Sequence, residues 1–404
     1  MARRELVPTI TCPHCWWEFP PAQFRYVSEH ESLRGDLVLG DAEQLRFLPS
    51  RFDGRCRAID PAGAACTRLA CPRCHLEIPP TAAEIPQTII SIVGAPGCGK
   101  SVMLAAASFS LRSGLVVQDL DFTDADPTLN DLTVELESSL FRSGAPERPA
   151  MIPKTDLSGR LYRSFRVGGA VWKAPKPQLF TLSRGGMSRM LCLYDNAGEH
   201  FEPGRDSAQE PVTRHLAVSR SLVFVVDPTQ DNRVAEMLGG RESVIARGGG
   251  GTGSQRQDLV LIEAINRTRR LRGLSSTDRL PFRIIVALAK ADIWGSAVDA
   301  RLGEPASDRP SVAVPTMEEL QPIHEQCARF LTRGMPELVA AARALDPRFR
   351  IVPFSGLGRP PSRLGAEDTR LAIRPQDVHP VWPAAPIIVA LAEAEPEMFP
   401  EFLP

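Results

Sequence analysis

The sequence predicts a doubly wound, mostly parallel α/β sheet with one antiparallel hairpin, preceded by a small cysteine-rich module. Three observations predict it. From residue 83 onward, short β-branched runs alternate with helical stretches. The first of these runs enters the glycine-rich stretch "SIVGAPGCGKS", residues 91–101. Ahead of it, four of the nine cysteines fall in two Cys-x-x-Cys pairs.

The 404 residues suffice for one large domain and a small one, and 43% hydrophobic composition supports a packed core. With 47 basic against 48 acidic residues the net charge is −1, which excludes a global field for nucleic acid or anionic membranes. No apolar run approaches the roughly 20 residues of a spanning helix, so a cytoplasmic protein without a transmembrane segment is expected.

Residues 1–82 form the first unit, closed by the proline-bearing joint "EIPPTAAEIPQ". Cys12, Cys15, Cys71 and Cys74 sit in "CPHC" and "CPRC". Four thiolates at that double spacing suit a tetrahedral Zn²⁺. The 55 residues between the pairs must loop out, which leaves Cys56, Cys66, His14 and His75 as substitutes or spectators. The bland role of such a module is to hold itself together. The sharper one is docking, with Trp16, Trp17 and Phe24 as aromatic anchors.

The second unit spans residues 83–398. Strands are expected at Thr88–Val93, Leu115–Gln118, Gln178–Leu182, Met190–Tyr194, Ser221–Val226, Arg283–Leu288 and Arg350–Pro353. Gly185 and Gly186 in "TLSRGGMSRMLCLYD" mark the hairpin. The segment 239–255 holds too many glycines to keep one conformation cheaply and reads as a mobile loop.

Gly94, Pro96, Gly97, Cys98, Gly99, Lys100 and Ser101 belong to G-x-x-x-x-G-K-[ST] and, with Val102 directly after it, are the expected nucleotide-binding residues; a strand runs in and "SVMLAAASFSLRSG" runs out as a helix stopped by Gly114. Successive backbone N–H groups and the helix N-terminus cradle phosphates, Lys100 reaches the β- and γ-phosphates, and the Ser101 hydroxyl ligates Mg²⁺. Further on, "DNAGEHF" ends a strand with Asp195 and places Gly198 three positions later. There a carboxylate holds Mg²⁺ through water and a glycine N–H meets the γ-phosphate. In "ALAKADIW", Lys290 and Asp292 offer a carboxylate for the paired donors of guanine, which adenine lacks. Ala289 stands where an Asn or Thr would brace that loop. Ser355, Gly356 and Leu357 follow the last strand, where a backbone N–H would meet guanine O6.

The order "GAPGCGKS", "DNAGE", "AKAD", "FSGLG" resembles that of the Ras-like, translation-factor-related P-loop GTPases. With "CPHC" and "CPRC" ahead, the whole chain resembles the bacterial zinc-ribbon GTPases of the double-GTPase group. The resemblance implies a GTP-binding switch in a multi-protein signalling or conflict system, with GTP, Mg²⁺ and Zn²⁺ bound and a protein partner or companion GTPase. An adaptor that holds its nucleotide structurally is the alternative. Asp292 and Gly198 argue against an ATP-driven motor.

Two departures bear on hydrolysis. Glu199 and His200 stand where many small GTPases carry a water-orienting Gln, and an ionised Glu repels the γ-phosphate, so slow turnover is expected. Thr155 is the candidate to close over Mg²⁺ and Thr123 its rival; the long spacing from Ser101 implies an inserted helix around "DPTLNDLTVELESSLF". Arg205, Arg214 and Arg247 are candidate charge stabilisers, with solvated surface as the simpler assignment for each.

Overall fold

The computed structural model describes residues 6–114, 116–152, 160–196, 198–201, 211–240, 244, 256–303, 313–363 and 371–403. Seven strands form the main sheet: β1 (Gln87–Gly94), β2 (Asp121–Asp124), β3 (Gln178–Arg184), β4 (Met187–Asp195), β5 (Ser221–Val226), β6 (Ile284–Leu288) and β7 (Arg350–Pro353). Their order is β2-β3-β4-β1-β5-β6-β7. Only β3 runs against its neighbours, because Gly185 and Gly186, both at positive φ, turn it tightly into β4. The remaining ladders are parallel, so β1, β4, β5, β6 and β7 release their chains at one end of the sheet.

One expected strand is misplaced. Beyond the undescribed Leu115, Val116 and Val117 are buried in a bend instead of a ladder. Gly114 at φ 70° and Asp119 at φ 58° turn the chain there. The edge strand β2 then forms five residues later and pairs with β3. The β-branched run thus fills core volume without joining the sheet. Of the segment 239–255, all but Gly239, Gly240 and Val244 lies outside the described residues.

Among the described residues, six helices of ten or more residues accompany the sheet: α1 (Lys100–Arg112), α2 (Asp131–Phe141), α3 (Gln257–Arg272), α4 (Met317–Gly334), α5 (Pro336–Leu345) and α6 (Ala385–Ala394). The inserted helix is α2. Thr316 and Glu319 start α4 as a reciprocal capping box, and Gly273 at φ 66° stops α3. Nine of the ten α6 residues are buried, as a helix laid across β5, β6 and β7 requires. No helix among the described residues is long and apolar enough to cross a membrane.

Side-chain alternation divides β3 and β4 between two cores. Phe180, Leu182, Leu191 and Leu193 join the main helical core. Leu179, Met190, Cys192 and Tyr194 face the cysteine module and the hairpin Tyr162–Val167/Ala170–Pro175. The module therefore covers a sheet face that would otherwise be wet. It is fixed there by polar contacts as well. Gln87, at the start of β1, exchanges two hydrogen bonds with the Thr11 backbone, at 2.7 and 2.9 Å. The Tyr194 hydroxyl donates to the carbonyl of Pro13 at 2.7 Å, inside the first Cys-x-x-Cys turn.

Tyr194→Phe removes that buried donor without a change of shape. The expected outcome is a loss of about 1 kcal/mol in denaturant unfolding and easier extraction of metal by a chelator. Unchanged values in both measurements would show that the contact does not hold the module to the sheet.

Candidate functional site

Strand β1 ends at the glycine-rich loop because nothing larger than glycine fits there. A Cβ on Gly94 would lie 2.3 Å from the carbonyl oxygen of Val225 on β5. Gly97 at φ 70° and Gly99 at φ 94° turn the backbone into α1. Lys100, buried on the first turn of α1, donates to the carbonyls of Gly94 at 2.9 Å and Ala95 at 3.0 Å. Its ammonium thus lies within the loop, where phosphate oxygens would be its counter-charge. Cys98 packs inside the loop, and burial pushes its thiol pKa up.

The parallel register Ile92↔Asp195 brings the end of β4 beside this loop. Ser101 Oγ donates to Asp195 Oδ2 at 2.7 Å. Asp195 Oδ1 is buried with no hydrogen-bond partner. Burial raises the carboxyl's pKa, against the pull of Lys100 and Ser101. A hydroxyl and a carboxylate with one orphaned buried oxygen form a hard oxygen donor set that fits Mg²⁺. Gly198 then passes directly over the loop: a Cβ there would stand 2.5 Å from both Gly94 O and Pro96 N. Ala197 and Thr155 lie outside the described residues, as do Arg205 and Arg247.

The segment Gly198–Phe201 is one 3-10 turn, so Glu199 and His200 follow Gly198 on it. His200 packs edge-on against Tyr162, 5.4 Å between ring centroids, and its carbonyl accepts from Arg267 at 2.5 Å. Thr123 is held in the edge strand opposite Thr181. The Arg214 guanidinium lies over the Trp172 ring at 4.5 Å.

One residue behind Asp195, His215, had no sequence signal of its own. His215, fully buried, stacks on Tyr194 at 4.9 Å and bonds to Asn196 and Ser91. Burial pushes its pKa down to about 3, so the imidazole is neutral. Trp16, from the first Cys-x-x-Cys turn, lies against both rings at 5.9 and 6.0 Å.

Strands β6 and β7 place the second half of the site. Lys290 sits at φ 57° and pairs with Asp227 of the β5 end at 2.6 Å. Asp227 also accepts from the Thr229 backbone and hydroxyl, while its own backbone exchanges bonds with Gln257. This acid supplies the bracing that Ala289 lacks. The cue was the acid in "VVDPTQD", directly after an apolar strand. Ser355 Oγ donates to Asp292 Oδ1 at 2.5 Å and accepts from Gly358 N at 2.8 Å. Burial raises the Asp292 carboxyl's pKa, with Ser355 and Lys290 opposing. Gly356 meets Val102 of α1, where a Cβ would lie 2.9 Å from Val102 Cγ1. A cleft of about 130 Å³ joins Lys290, Asp292, Ser355 and Leu357 to Gly97 and Gly99.

In the cysteine module, Cys12, Cys15, Cys71 and Cys74 are buried with all sulfurs within 4.8 Å of one another. Cys12–Cys74 and Cys15–Cys71 sulfurs stand 3.7 Å apart. Tetrahedral Zn–S bonds of about 2.3 Å put sulfurs about 3.8 Å apart, so the cluster fits Zn²⁺. The two turns repeat one geometry. Trp16 and His75, each following the second cysteine, take φ 56° and 60°, and the N–H groups of His14 and Arg73 point at Cys12 and Cys71 sulfur. His14 and His75 are not ligands: their ring nitrogens bond to the Glu77 carbonyl and to Asp36. Cys66 lies against Asp60, and Cys56 is exposed. Among the expected docking aromatics, Trp16 and Phe24 are interior, and only Trp17 is exposed, at 48%.

No family model matches the chain. No curated protein matches it in sequence. It is similar to a solved structure described as the crystal structure of the S. cerevisiae Ski7 GTPase-like domain bound to GTP, at 14% identity and a TM-score of 0.27, over 67% of this chain and 43% of that one. The chain spans less than half the length of that structure.

Cys71→Ser is expected to release the metal and unfold residues around it, because binding energy at such a site is largely folding energy. Metal analysis of protein made under reducing conditions, with and without the substitution, checks this; no zinc in the parent would refute it. Gly198→Ala forces a methyl into the phosphate loop backbone. It should lower triphosphate affinity far more than diphosphate affinity, measured by fluorescence titration, and equal effects on both would place Gly198 away from the γ-phosphate.

Proposed function

We propose that the protein is a GTP-binding switch that hydrolyses its nucleotide slowly and is accelerated by a protein partner. The observation that carries this is the cleft opening off the phosphate loop onto Asp292, whose carboxylate is held by Ser355. Guanine presents N1–H and a 2-amino group side by side, and one carboxylate accepts both. Lys290, pinned by Asp227, lays its aliphatic stem along the base, and the backbone at Gly356 and Leu357 faces the base oxygen.

Lys100 and the loop N–H groups hold the phosphates. Ser101 and Asp195 would hold Mg²⁺, which would supply positive charge against the phosphates. Gly198 backs onto the loop so closely that its N–H would meet only a γ-phosphate, and its 3-10 turn is tied to α3 through Arg267. Loss of that phosphate frees the turn, and this gives the switch two states. Thr155 is assigned a further Mg²⁺ contact on the same reading. Glu199 adds negative charge where a hydrolysing enzyme wants a neutral water-orienting group, and His200 is occupied against Tyr162.

Competition between GTP and ATP for the purified protein tests the reading, together with Asp292→Asn. Asparagine offers one acceptor and one donor, which match the N1–H and 2-carbonyl of xanthine but not the two donors of guanine. Preference should move from GTP toward XTP by about tenfold or more, the size of about 1–3 kcal/mol for a mismatched buried polar pair. Identical nucleotide ratios in parent and variant would remove the guanine assignment.

A further inference from the structure

The parallel strands begin at the end of the sheet opposite the phosphate loop. A cavity of about 510 Å³ opens there, between the sheet and the cysteine module. Arg220, Arg272, Arg283 and Arg348 line it, against the carboxylates of Glu18 and Glu393. Three of these arginines stand one or two residues ahead of β5, β6 and β7, so the parallel register itself gathers them.

The chain answers part of that charge. Glu393 pairs with Arg283 at 2.5 Å, and Asp346 with Arg348 at 3.4 Å. Even with Asp346 counted, the wall keeps an excess of positive charge. Arg272 directs its guanidinium at the neutral carbonyls of Leu216 and Ser219, above the Phe282 ring, and burial lowers its pKa. Arg283 Nε is buried without an acceptor, on a side chain only 10% exposed. Arg220 makes no ion pair or side-chain hydrogen bond among the described residues, and it faces the cavity. Gathering guanidinium groups in a recess is costly unless an anion joins them, and their planar donor forks match phosphate oxygens.

We propose that this cavity is a second ligand site, for a small phosphate-bearing anion of about mononucleotide size, in the usual range of about 300–1,000 Å³ for such pockets. It is separate from the phosphate loop, on the order of 15–20 Å away along β1. Because Thr11 and Glu18 of the module form part of its wall, a bound anion touches both the module and the sheet.

The test is calorimetric titration of the full chain with inorganic pyrophosphate, without Mg²⁺ and at low salt, with Arg220→Glu and Lys100→Ala alongside the parent. Binding is expected to persist in Lys100→Ala, where the proposed nucleotide site is disabled, and to weaken by at least about tenfold when Arg220→Glu is added to that variant. Mg²⁺-GTP binding by Arg220→Glu should equal that of the parent, which separates this site from the proposed nucleotide site. If Arg220→Glu does not fold, Arg348→Gln takes its place. Guanosine and adenosine monophosphates as further probes tell a nucleotide ligand, which binds more tightly than pyrophosphate, from a bare oxyanion, which does not. No binding by the parent up to about 10 mM, or binding lost in Lys100→Ala and kept in Arg220→Glu, overturns the proposal.

Discussion

A sheet with parallel strands has two apolar faces, and both must be covered. In this protein the second face of β3 and β4 is covered by the cysteine module instead of a helix. That substitution shapes much else. A module too small to bury a core of its own would gain rigidity from a metal held by its four buried cysteines, and the sheet relies on the module for a dry face. Tyr194 joins the two requirements. Its ring belongs to the covered face, its hydroxyl reaches into the first Cys-x-x-Cys turn, and its carboxyl-side neighbour is Asp195.

The same junction explains the buried polar groups behind the phosphate loop. His215 is neutral and fully enclosed, which is tolerable because Ser91, Asn196 and two aromatic rings surround it. Through it, β1, the end of β4 and Trp16 of the module share one cluster. The loop segments around Asp195 therefore rest on a rigid floor, while Gly198 and the turn after it lie on top.

The base half of the site is built by other means. Lys290 is in a left-handed conformation that costs a non-glycine residue some stability. The ion pair with Asp227 Oδ2 holds it, while Thr229 bonds Asp227 Oδ1 and Gln257 bonds the Asp227 backbone. The brace that Ala289 cannot provide comes from a neighbouring strand end.

By itself the sequence determined the elements whose signal is local. The glycine-rich loop between strand and helix, the Gly185-Gly186 hairpin, the inserted helix and the two Cys-x-x-Cys turns each carry their residues within a short window, and each stands where that window placed it. Tertiary structure alone decided three things. Val116 and Val117 fill the core without pairing, because Asp119 turns the chain before a ladder can form. Trp16 and Phe24 read as docking aromatics from composition, yet they are interior, since burial depends on which sheet face lies opposite. His215 and the arginines ahead of β5, β6 and β7 gained their neighbours only from the packing of elements tens of positions apart, which leaves no mark on the sequence around any one of them; for Asp227 the sequence shows the acid after its strand but not the lysine it holds.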